Sequence, residues 1–258
     1  MPVRDESEDT CRSAARTSSN PEASIRVSDR AVYLPEAETL VCADLHLGRG
    51  ASSAVEAPID AVVDIAGRIE ALCARFGPET VVVAGDLLDD FSRIPPGVHT
   101  AVTDLVEAVE SAGASVVVTP GNHDRLLQTV YDGESVAEYA LDDGETVVCH
   151  GHREPETQAA RYVVGHDHPA ISIEGRKLPC VLYGQEVYEP DADASPADVV
   201  VCPAFTPLAR GTTINARRGG DFQSPLLSAP GRFHPVVRDE TGDETFWFPA
   251  LGSMRGLL

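Results

Sequence analysis

Five short apolar runs in this chain end in clusters of Asp, Asn or His residues. The runs are built mainly from β-branched and small apolar residues, which is typical of strands buried on both faces of a sheet. We therefore predict five strands that deliver polar side chains to one end of a sheet. The runs with their polar ends span residues 41–46, 81–86, 116–124, 147–152 and 162–169.

The segments between the first three runs carry apolar residues at helical spacing. Residues 58–76 and 97–112 both show this pattern, and a glycine follows each of them. The order strand, helix, strand, helix, strand indicates parallel βαβ units. Ahead of these units, short β-type runs at 30–34 and 39–43 predict a hairpin.

The second half of the chain is rich in predicted strands. A short helix is expected from Asp124 to about Val130, and a tight turn at 142–144. The strands are predicted at 136–141, 145–149, 161–165, 170–174, 178–184, 198–202, 232–238 and 245–248, with loops at 190–197 and 215–230.

Both halves contribute polar strand ends, so a shared site would have to lie where the two halves face each other. We predict one domain over residues 25–258, with an α/β fold in which two mixed β-sheets pack as a sandwich flanked by helices. The site would lie at the carboxyl ends of the strands. Residues 1–24 are polar and lack periodicity, and we expect them to form a disordered tail.

The chain is strongly acidic, with 41 acidic and 20 basic residues and a net charge of -21. Lys177 is the single lysine, and this profile resembles that of proteins from salt-loving organisms. The charge argues against non-specific binding to nucleic acid unless a local basic patch or bound cations reverse the field. No apolar run is long enough to span a membrane, and the first residues are too polar for a signal peptide, so we expect a cytoplasmic protein.

The polar clusters combine oxygen and nitrogen donors. Asp44 and His46 are two residues apart, as are His166 and His168, and an extended backbone would turn each pair to one side. A carboxylate at Asp86 could use both oxygens to bridge two cations. Oxygen and imidazole donors without thiolate suit Mn²⁺, Fe, Zn²⁺ or Mg²⁺. The six cysteines form no C-x-x-C pair, which argues against a zinc ribbon.

Each histidine alone could instead cap a strand or satisfy a hydrogen bond in the core. Of the eight histidines, however, only His99 and His234 lie outside the five clusters. Independent accidents at five strand ends are less plausible than one shared metal site, so the conjunction favours metal binding.

The five clusters resemble the ordered motifs of the calcineurin-like metallophosphoesterase superfamily. Within it the chain looks most like the small phosphoesterases related to the Mre11 and SbcD nucleases, including the group associated with DNA ligase. The resemblance implies a metal-dependent hydrolase of phosphomonoesters or phosphodiesters. The matching motifs are Asp44-x-His46, Gly85-Asp86, Gly121-Asn122-His123-Asp124, His150-Gly151-His152 and Gly165-His166-x-His168.

The resemblance also implies a dinuclear centre with Asp86 as the bridging ligand. It suggests two divalent ions, Mn²⁺ first among the candidates, which hold a hydroxide that attacks the phosphorus. The implied ligands are Asp44, His46, Asp86 and His168 for one ion, and Asp86, Asn122, His150 and His166 for the other.

Further roles follow for residues next to the ligands. By family logic His123 stabilises or protonates the leaving oxygen, and Asp124 either orients His123 or caps the following helix. His152 is expected beside the metals or the phosphate. Arg49 and Arg125 could bind a substrate phosphate, although a solvated surface arginine is the simpler interpretation of each.

The substrate class is less defined than the chemistry. DNA, RNA or a nucleotide fits the resemblance, but Asp89 stands where the Mre11-type nucleases carry a histidine. A carboxylate there would repel a DNA phosphate or bind another cation. A second hypothesis is a non-catalytic metal-binding scaffold within a DNA-repair or RNA-processing assembly; the intact His123 favours the enzyme.

Overall fold

A computed structural model describes residues 21–49, 59–89, 92–190 and 194–254 of the chain. Its helices are α1 (Pro21–Ser24), α2 (Ile59–Phe76), α3 (Val98–Ser111) and α4 (Leu251–Met254). The two long helices, α2 and α3, confirm the helical patterns read from the sequence. In the described ranges, no helix combines the length and apolar character needed to cross a membrane.

The first sheet has six strands in the described part of the chain, and they follow one another in chain order. They are β1 (Arg26–Ser28), β2 (Ala31–Leu34), β3 (Thr39–Cys42), β4 (Thr80–Val83), β5 (Ser115–Val118) and β6 (Glu134–Ser135). Strands β1 to β3 pair antiparallel, whereas β3 to β6 pair in parallel. The predicted hairpin and βαβ units are thus confirmed, with α2 and α3 as the crossovers.

The remaining strands build a second large sheet and a small third one. They are β7 (Glu138–Ala140), β8 (Thr146–Cys149), β9 (Arg161–Val164), β10 (Pro169–Ile173), β11 (Arg176–Pro179), β12 (Val181–Tyr188), β13 (Ala197–Val201), β14 (Thr212–Thr213), β15 (His234–Asp239) and β16 (Glu244–Trp247). The second sheet runs in the order β16-β15-β12-β13-β9-β8-β7, and the third in the order β11-β10-β14. Strand β9 pairs in parallel with both β8 and β13, while the other pairs of the second sheet are antiparallel.

The two large sheets pack face to face, and alternate side chains of each strand face different layers. Val81 and Val83 of β4 pack with the core under α2 and α3. Val82, between them, packs with Val163 of β9 and Val200 of β13. Because both faces of the central strands are buried, these strands read as unbroken apolar runs in the sequence. The predicted sandwich of two mixed sheets is confirmed.

The outer faces of the sandwich are covered differently. In the described residues the long helices α2 and α3 cover the first sheet only. The outer face of the second sheet packs against Ile171 of β10, Leu226, Leu227, Phe233 and the short helix α4. Two single turns of 3-10 helix lie within the stretch predicted as a loop at 215–230, and a third, Pro230–Arg232, begins at its last residue.

Two local predictions need correction. The helix expected after Asp124 is a single 3-10 turn, Leu127–Thr129. The Tyr131 hydroxyl then donates to the carbonyl oxygen of Val116 at 2.8 Å, which anchors the chain on β5 instead of letting the helix continue. The strand expected at 178–184 is two strands, β11 and β12. They separate at Cys180, whose N–H donates to the carbonyl oxygen of Pro169 at 3.1 Å.

Two predictions fall partly or wholly outside the described residues. Most of the predicted tail does so, and its last four residues form α1, in which Ser24 is buried. The predicted loop at 190–197 includes residues 191–193, which are also outside, and its last residue, Ala197, begins β13.

Gly165, just after β9, lies where the two large sheets approach each other closely. A Cβ atom there would lie 2.7 Å from the Ala43 Cβ and 2.8 Å from the Ala84 carbonyl oxygen. We expect Gly165→Ala to lower the free energy of unfolding by about 1–3 kcal/mol, because the sheets would have to separate. Gly67 in α2 has nothing within 4 Å of such an atom. Gly67→Ala should therefore raise the free energy of unfolding by about 0.5–1 kcal/mol.

Urea unfolding monitored by circular dichroism would measure both changes. A Gly165→Ala protein as stable as the wild type would contradict the close approach of the sheets at this position.

Candidate metal centre

The polar residues predicted as ligands follow strands from both large sheets. Because the parallel strands of each sheet end at the same edge, their carboxyl-terminal loops meet in one crevice. The structure brings all seven predicted ligands together there. They follow β3 (Asp44, His46), β4 (Asp86), β5 (Asn122), β8 (His150) and β9 (His166, His168).

One group in this crevice consists of Asp44, His46 and His168. Their potential ligand atoms all lie within 4.8 Å of one another. His168 Nε2 lies 3.2 Å from Asp44 Oδ1 and 3.4 Å from His46 Nε2. Two facing imidazole nitrogens can share one proton, or both can present lone pairs to a cation. These donors therefore fit a divalent metal ion.

A second group of the same kind consists of Asp86, His150 and His166. His150 Nε2 lies 3.1 Å from His166 Nδ1 and 3.5 Å from Asp86 Oδ2. Asn122 Oδ1 lies 3.2 Å from the same nitrogen of His150. Two carboxylate or amide oxygens and two imidazole nitrogens thus converge on this point, again a donor set suited to a divalent ion.

Asp86 lies between the two groups. It forms a further set of close donors with His46 and His123, in addition to the set with His150 and His166. Its Oδ1 accepts a hydrogen bond from the backbone N–H of His123 at 3.0 Å. This is the position that a bridging carboxylate requires.

Burial and neighbouring charges shift the pKa values of Asp44 and His166 in directions that suit metal binding. Burial would lower the pKa of His168, but the hydrogen bond to Asp44 and the charge of Asp44 raise it. Burial alone would raise the pKa of Asp44, but the hydrogen bond from His168 and the nearby imidazoles hold this pKa below its ordinary value. Burial and the nearby His150 lower the pKa of His166. At neutral pH Asp44 is therefore a carboxylate and His166 a neutral imidazole, the forms that coordinate metals.

The two-residue spacing predicted that an extended backbone brings each pair of ligands to one side. The structure shows a different backbone geometry at these residues. Asp44, His46, Asp86, His166 and His168 have φ angles of 56°, 45°, 48°, 71° and 47°, all in the left-handed region. Such conformations are uncommon for residues other than glycine, and each costs of the order of 1 kcal/mol or more. The loops curl toward the crevice, and local strain is concentrated at the candidate ligands.

Backbone hydrogen bonds between the loops hold this strained geometry. The N–H groups of Asp44 and His46 donate to the carbonyl oxygens of Gly85 and Asp86 at 3.0 and 2.9 Å. Gly85 itself has φ of +78°, and a Cβ atom there would lie 2.2 Å from His150 Nδ1. Only glycine allows the His150 ring to lie against this loop.

Asp124 has contacts that differ from both roles predicted for it. Its carboxylate accepts hydrogen bonds from the backbone N–H groups of Leu88 and Gly121, both at 2.8 Å, and of Leu87 at 3.3 Å. Nδ1 of His123 is buried and has no hydrogen-bond partner among the described residues. Asp124 therefore ties the turn that carries Asn122 to the loop that carries Asp86, and it does not orient the His123 ring.

The carboxylate of Asp89, expected to repel a DNA phosphate or bind another cation, lies against His46. Its Oδ1 is 3.4 Å from His46 Nδ1, and its side chain is only 18% exposed. Burial would raise the pKa of Asp89, but the close contact with His46 and the charge of Arg49 hold it below its ordinary value. A carboxylate behind a ligating imidazole orients the ring and increases its basicity. The sequence showed an acidic residue three positions after Asp86, but it did not show that this residue contacts His46.

The remaining predicted residues surround the two groups. The His152 ring lies 5.1 Å from that of His150, and burial together with the nearby His150 lowers the pKa of His152 to about 4. Arg49 is half-buried, and its charge influences both Asp89 and His168. Arg125 is exposed and lines a cavity of about 800 Å³ beside His150 and His152.

Asp167, between the two histidines of the last motif, was not expected to be a ligand. Its buried carboxylate accepts hydrogen bonds from the backbone N–H groups of Gln223 at 2.9 Å and Ser224 at 3.0 Å. It therefore faces away from the metal groups and attaches this loop to the covering of the second sheet.

Comparisons with known proteins give the following matches. A family model described as calcineurin-like phosphoesterase matches residues 38–226. A search of curated protein sequences finds no match. The fold is similar to the crystal structure of the nuclease MPE from Pseudomonas putida, with 22% sequence identity, 81% of this chain and 88% of that chain covered, and a TM-score of 0.56. For Yfce, a phosphoesterase from E. coli, the identity is 14%, the coverage 83% and 98%, and the TM-score 0.43.

The position of Asp89 against His46 leads to a test of metal affinity. We expect Asp89→Asn to weaken the binding of Mn²⁺ by about 10- to 100-fold, because the His46 ring loses the carboxylate that orients it. Isothermal titration of metal-free protein would measure this. Asp142→Asn, in the exposed turn between β7 and β8, removes the same charge and should leave the affinity unchanged. Equal Mn²⁺ affinities in the two variants would contradict the role of Asp89.

Proposed function

Because the chain belongs to the calcineurin-like phosphoesterase family, and is thereby a hydrolase of phosphoester bonds, we propose that it uses a dinuclear divalent-metal centre. The resemblance drawn from the five sequence motifs is confirmed at the level of this family. The single observation that carries the proposal is the position of Asp86, which forms one close donor set with His46 and His123 and another with His150 and His166.

We propose that the donors divide between two ions in the way that the family resemblance implies. Asp44, His46 and His168 would hold one ion, and Asn122, His150 and His166 the other, with Asp86 shared. Two divalent cations there would lower the pKa of a coordinated water and neutralise charge on the phosphate oxygens. We propose Mn²⁺ as the first candidate, while Fe, Zn²⁺ and Mg²⁺ suit the same oxygen and nitrogen donors.

His123 is the proposed proton donor to the leaving oxygen. Its side chain is 32% exposed, and its Nε2 lies 3.9 Å from Asp86 Oδ2. Its ring packs edge-on against that of His46, with centroids 5.3 Å apart. The ring thus touches the candidate centre on one side and solvent on the other. A general acid needs this position to reach a substrate bound over the metals.

The proposed substrates are phosphomonoesters or phosphodiesters, with DNA, RNA and nucleotides as the candidates. The negative charge of Asp89 argued against a nucleic-acid substrate. Since Asp89 lies against His46 with only 18% of its side chain exposed, that objection is weakened. The structurally similar protein from Pseudomonas putida is a nuclease, which is compatible with this proposal. The cytoplasmic location stays a prediction from the sequence.

The role of His123 can be tested with dithymidylate and Mn²⁺, because the alkoxide leaving group of this phosphodiester, unlike p-nitrophenolate, needs a proton. We expect His123→Ala to lower kcat by about 10²- to 10⁴-fold, because the leaving group loses its proton donor, while metal content is retained. His99→Ala removes an exposed histidine on α3 and serves as the matched control, with unchanged kcat. Turnover by His123→Ala equal to that of the His99→Ala control would contradict the assignment.

The shared position of Asp86 predicts how metal stoichiometry responds to mutation. Asp86→Asn should reduce the occupancy of both sites, because one neutral amide replaces a carboxylate that both ions share. His168→Ala should empty only the site that contains Asp44. Metal analysis of gel-filtered protein after loading with Mn²⁺ would distinguish the two patterns. If Asp86→Asn lost a single ion and kept the other, the bridging role would be wrong.

A further inference from the structure

A cavity of about 440 Å³ adjoins the candidate metal centre on the side of His168. His168 belongs to its lining and also to the donor group with Asp44 and His46. Pro169, Pro179, Pro203 and Pro207 form much of the wall. A proline-rich wall is stiff, because the ring removes one backbone rotation at each position. The cavity is therefore a preformed space beside the reacting centre.

The arginine and lysine side chains that line this cavity have no acidic residue beside them among the described residues of the lining. They are Arg30, Lys177 and Arg210. Arg30 also lines a smaller neighbouring cavity together with Asp29, Arg238 and Glu240. Lys177 and Arg210 are both exposed.

This lining contrasts with the rest of the chain. The net charge is -21, and Lys177 is its single lysine. The cavity on the opposite side of the centre, beside His150, contains Arg125 and Arg153 but also Glu138, Glu154 and Glu156. An acidic protein repels a polyanion except where basic groups reverse the local field. Among the described residues around the centre, that reversal occurs on the His168 side.

Hydrogen bonds within the cavity wall hold the basic groups in place. Lys177 Nζ donates to the carbonyl oxygen of Gly211 at 2.6 Å. The N–H of Thr212 donates to the carbonyl oxygen of His168 at 2.7 Å, which joins this segment to the candidate ligand loop. Arg30 donates to the carbonyl oxygen of Thr206 at 2.8 Å. The segment from 206 to 212 is thereby fixed against the metal centre.

We propose that this cavity binds a second phosphate of the substrate, next to the phosphate that is hydrolysed. The inference rests on the proposed function, because the scissile phosphate must occupy the metal centre. Ammonium and guanidinium groups form charge-assisted hydrogen bonds with phosphate oxygens. The favoured substrate then carries at least two phosphates. An oligonucleotide or a nucleoside polyphosphate would supply them.

Binding without turnover provides the first test. The Lys177→Gln/Arg210→Gln double variant is made in the His123→Ala protein loaded with Mn²⁺, and fluorescein-labelled hexathymidylate and adenosine triphosphate are the probes. We expect the Kd for at least one probe to rise about tenfold or more, because the substitutions remove two charge-assisted hydrogen bonds. If hexathymidylate is the ligand, the dependence of log Kd on log salt concentration should become shallower by about 0.7 for each phosphate that the variant no longer neutralises.

Arg176→Gln is the matched control for this experiment. Arg176 precedes Lys177 on β11, and neighbouring side chains on a strand point to opposite faces. The control removes one positive charge outside the cavity and should change the Kd less than twofold. Lys177→Arg keeps the charge in the cavity and should retain the affinity. Unchanged affinity of the double variant for both probes, or equal weakening by Arg176→Gln, would overturn the proposal.

Turnover separates this inference from the proposed function. The same two substitutions are also made in the protein with His123 intact. There they should lower kcat/KM for the probe that binds, hexathymidylate or adenosine triphosphate, about tenfold more than kcat/KM for bis(p-nitrophenyl) phosphate, which has a single phosphate. A chain that binds Mn²⁺ but does not hydrolyse bis(p-nitrophenyl) phosphate would contradict the proposed function. An equal decrease of kcat/KM for both substrates would contradict the second-phosphate site but not the proposed function.

Discussion

The burial of two carboxylates, Asp44 and Asp86, is the constraint on which the rest of the site depends. They are 0% and 2% exposed, respectively. An ionised carboxylate in such surroundings is costly unless other groups compensate its charge. Within the described ranges, the Asp44 carboxylate lies against the rings of His168 and His150 and the backbone N–H of His166. Imidazoles and cations can compensate these charges together, and this explains why histidines surround both carboxylates.

The fold meets this constraint by letting the two sheets approach closely at one edge. Gly165 and Gly85 remove side-chain atoms where the backbone of one sheet meets the other sheet or its loops. Five of the seven candidate ligands have left-handed backbone conformations, which cost stability. The apolar layer shared by the two sheets, with Val82, Val163 and Val200, stabilises the arrangement that imposes this strain. Stability of the core and strain at the site are thus two results of one packing geometry.

The charge distribution around the site does not follow the composition of the chain. A net charge of -21 would keep phosphate ligands away if it were spread evenly. The walls beside His168 carry Arg30, Lys177 and Arg210, whereas those beside His150 mix arginine with glutamate. The two sides of the centre therefore differ electrostatically, and this asymmetry gives the crevice a direction along which an anionic substrate can lie.

The sequence by itself determined the sandwich class, the central strands and helices, and the residue types at the five strand ends. These are local patterns of apolar periodicity and donor residues, which a chain displays before it folds. Only the tertiary structure decided that Asp89 contacts His46, that Asp124 and Asp167 bind backbone N–H groups, and that the ligand loops are left-handed. It also brought residues 30, 177 and 210 into one cavity. These contacts join segments that are distant in sequence, and the packing and strand register of the folded sheets determine them.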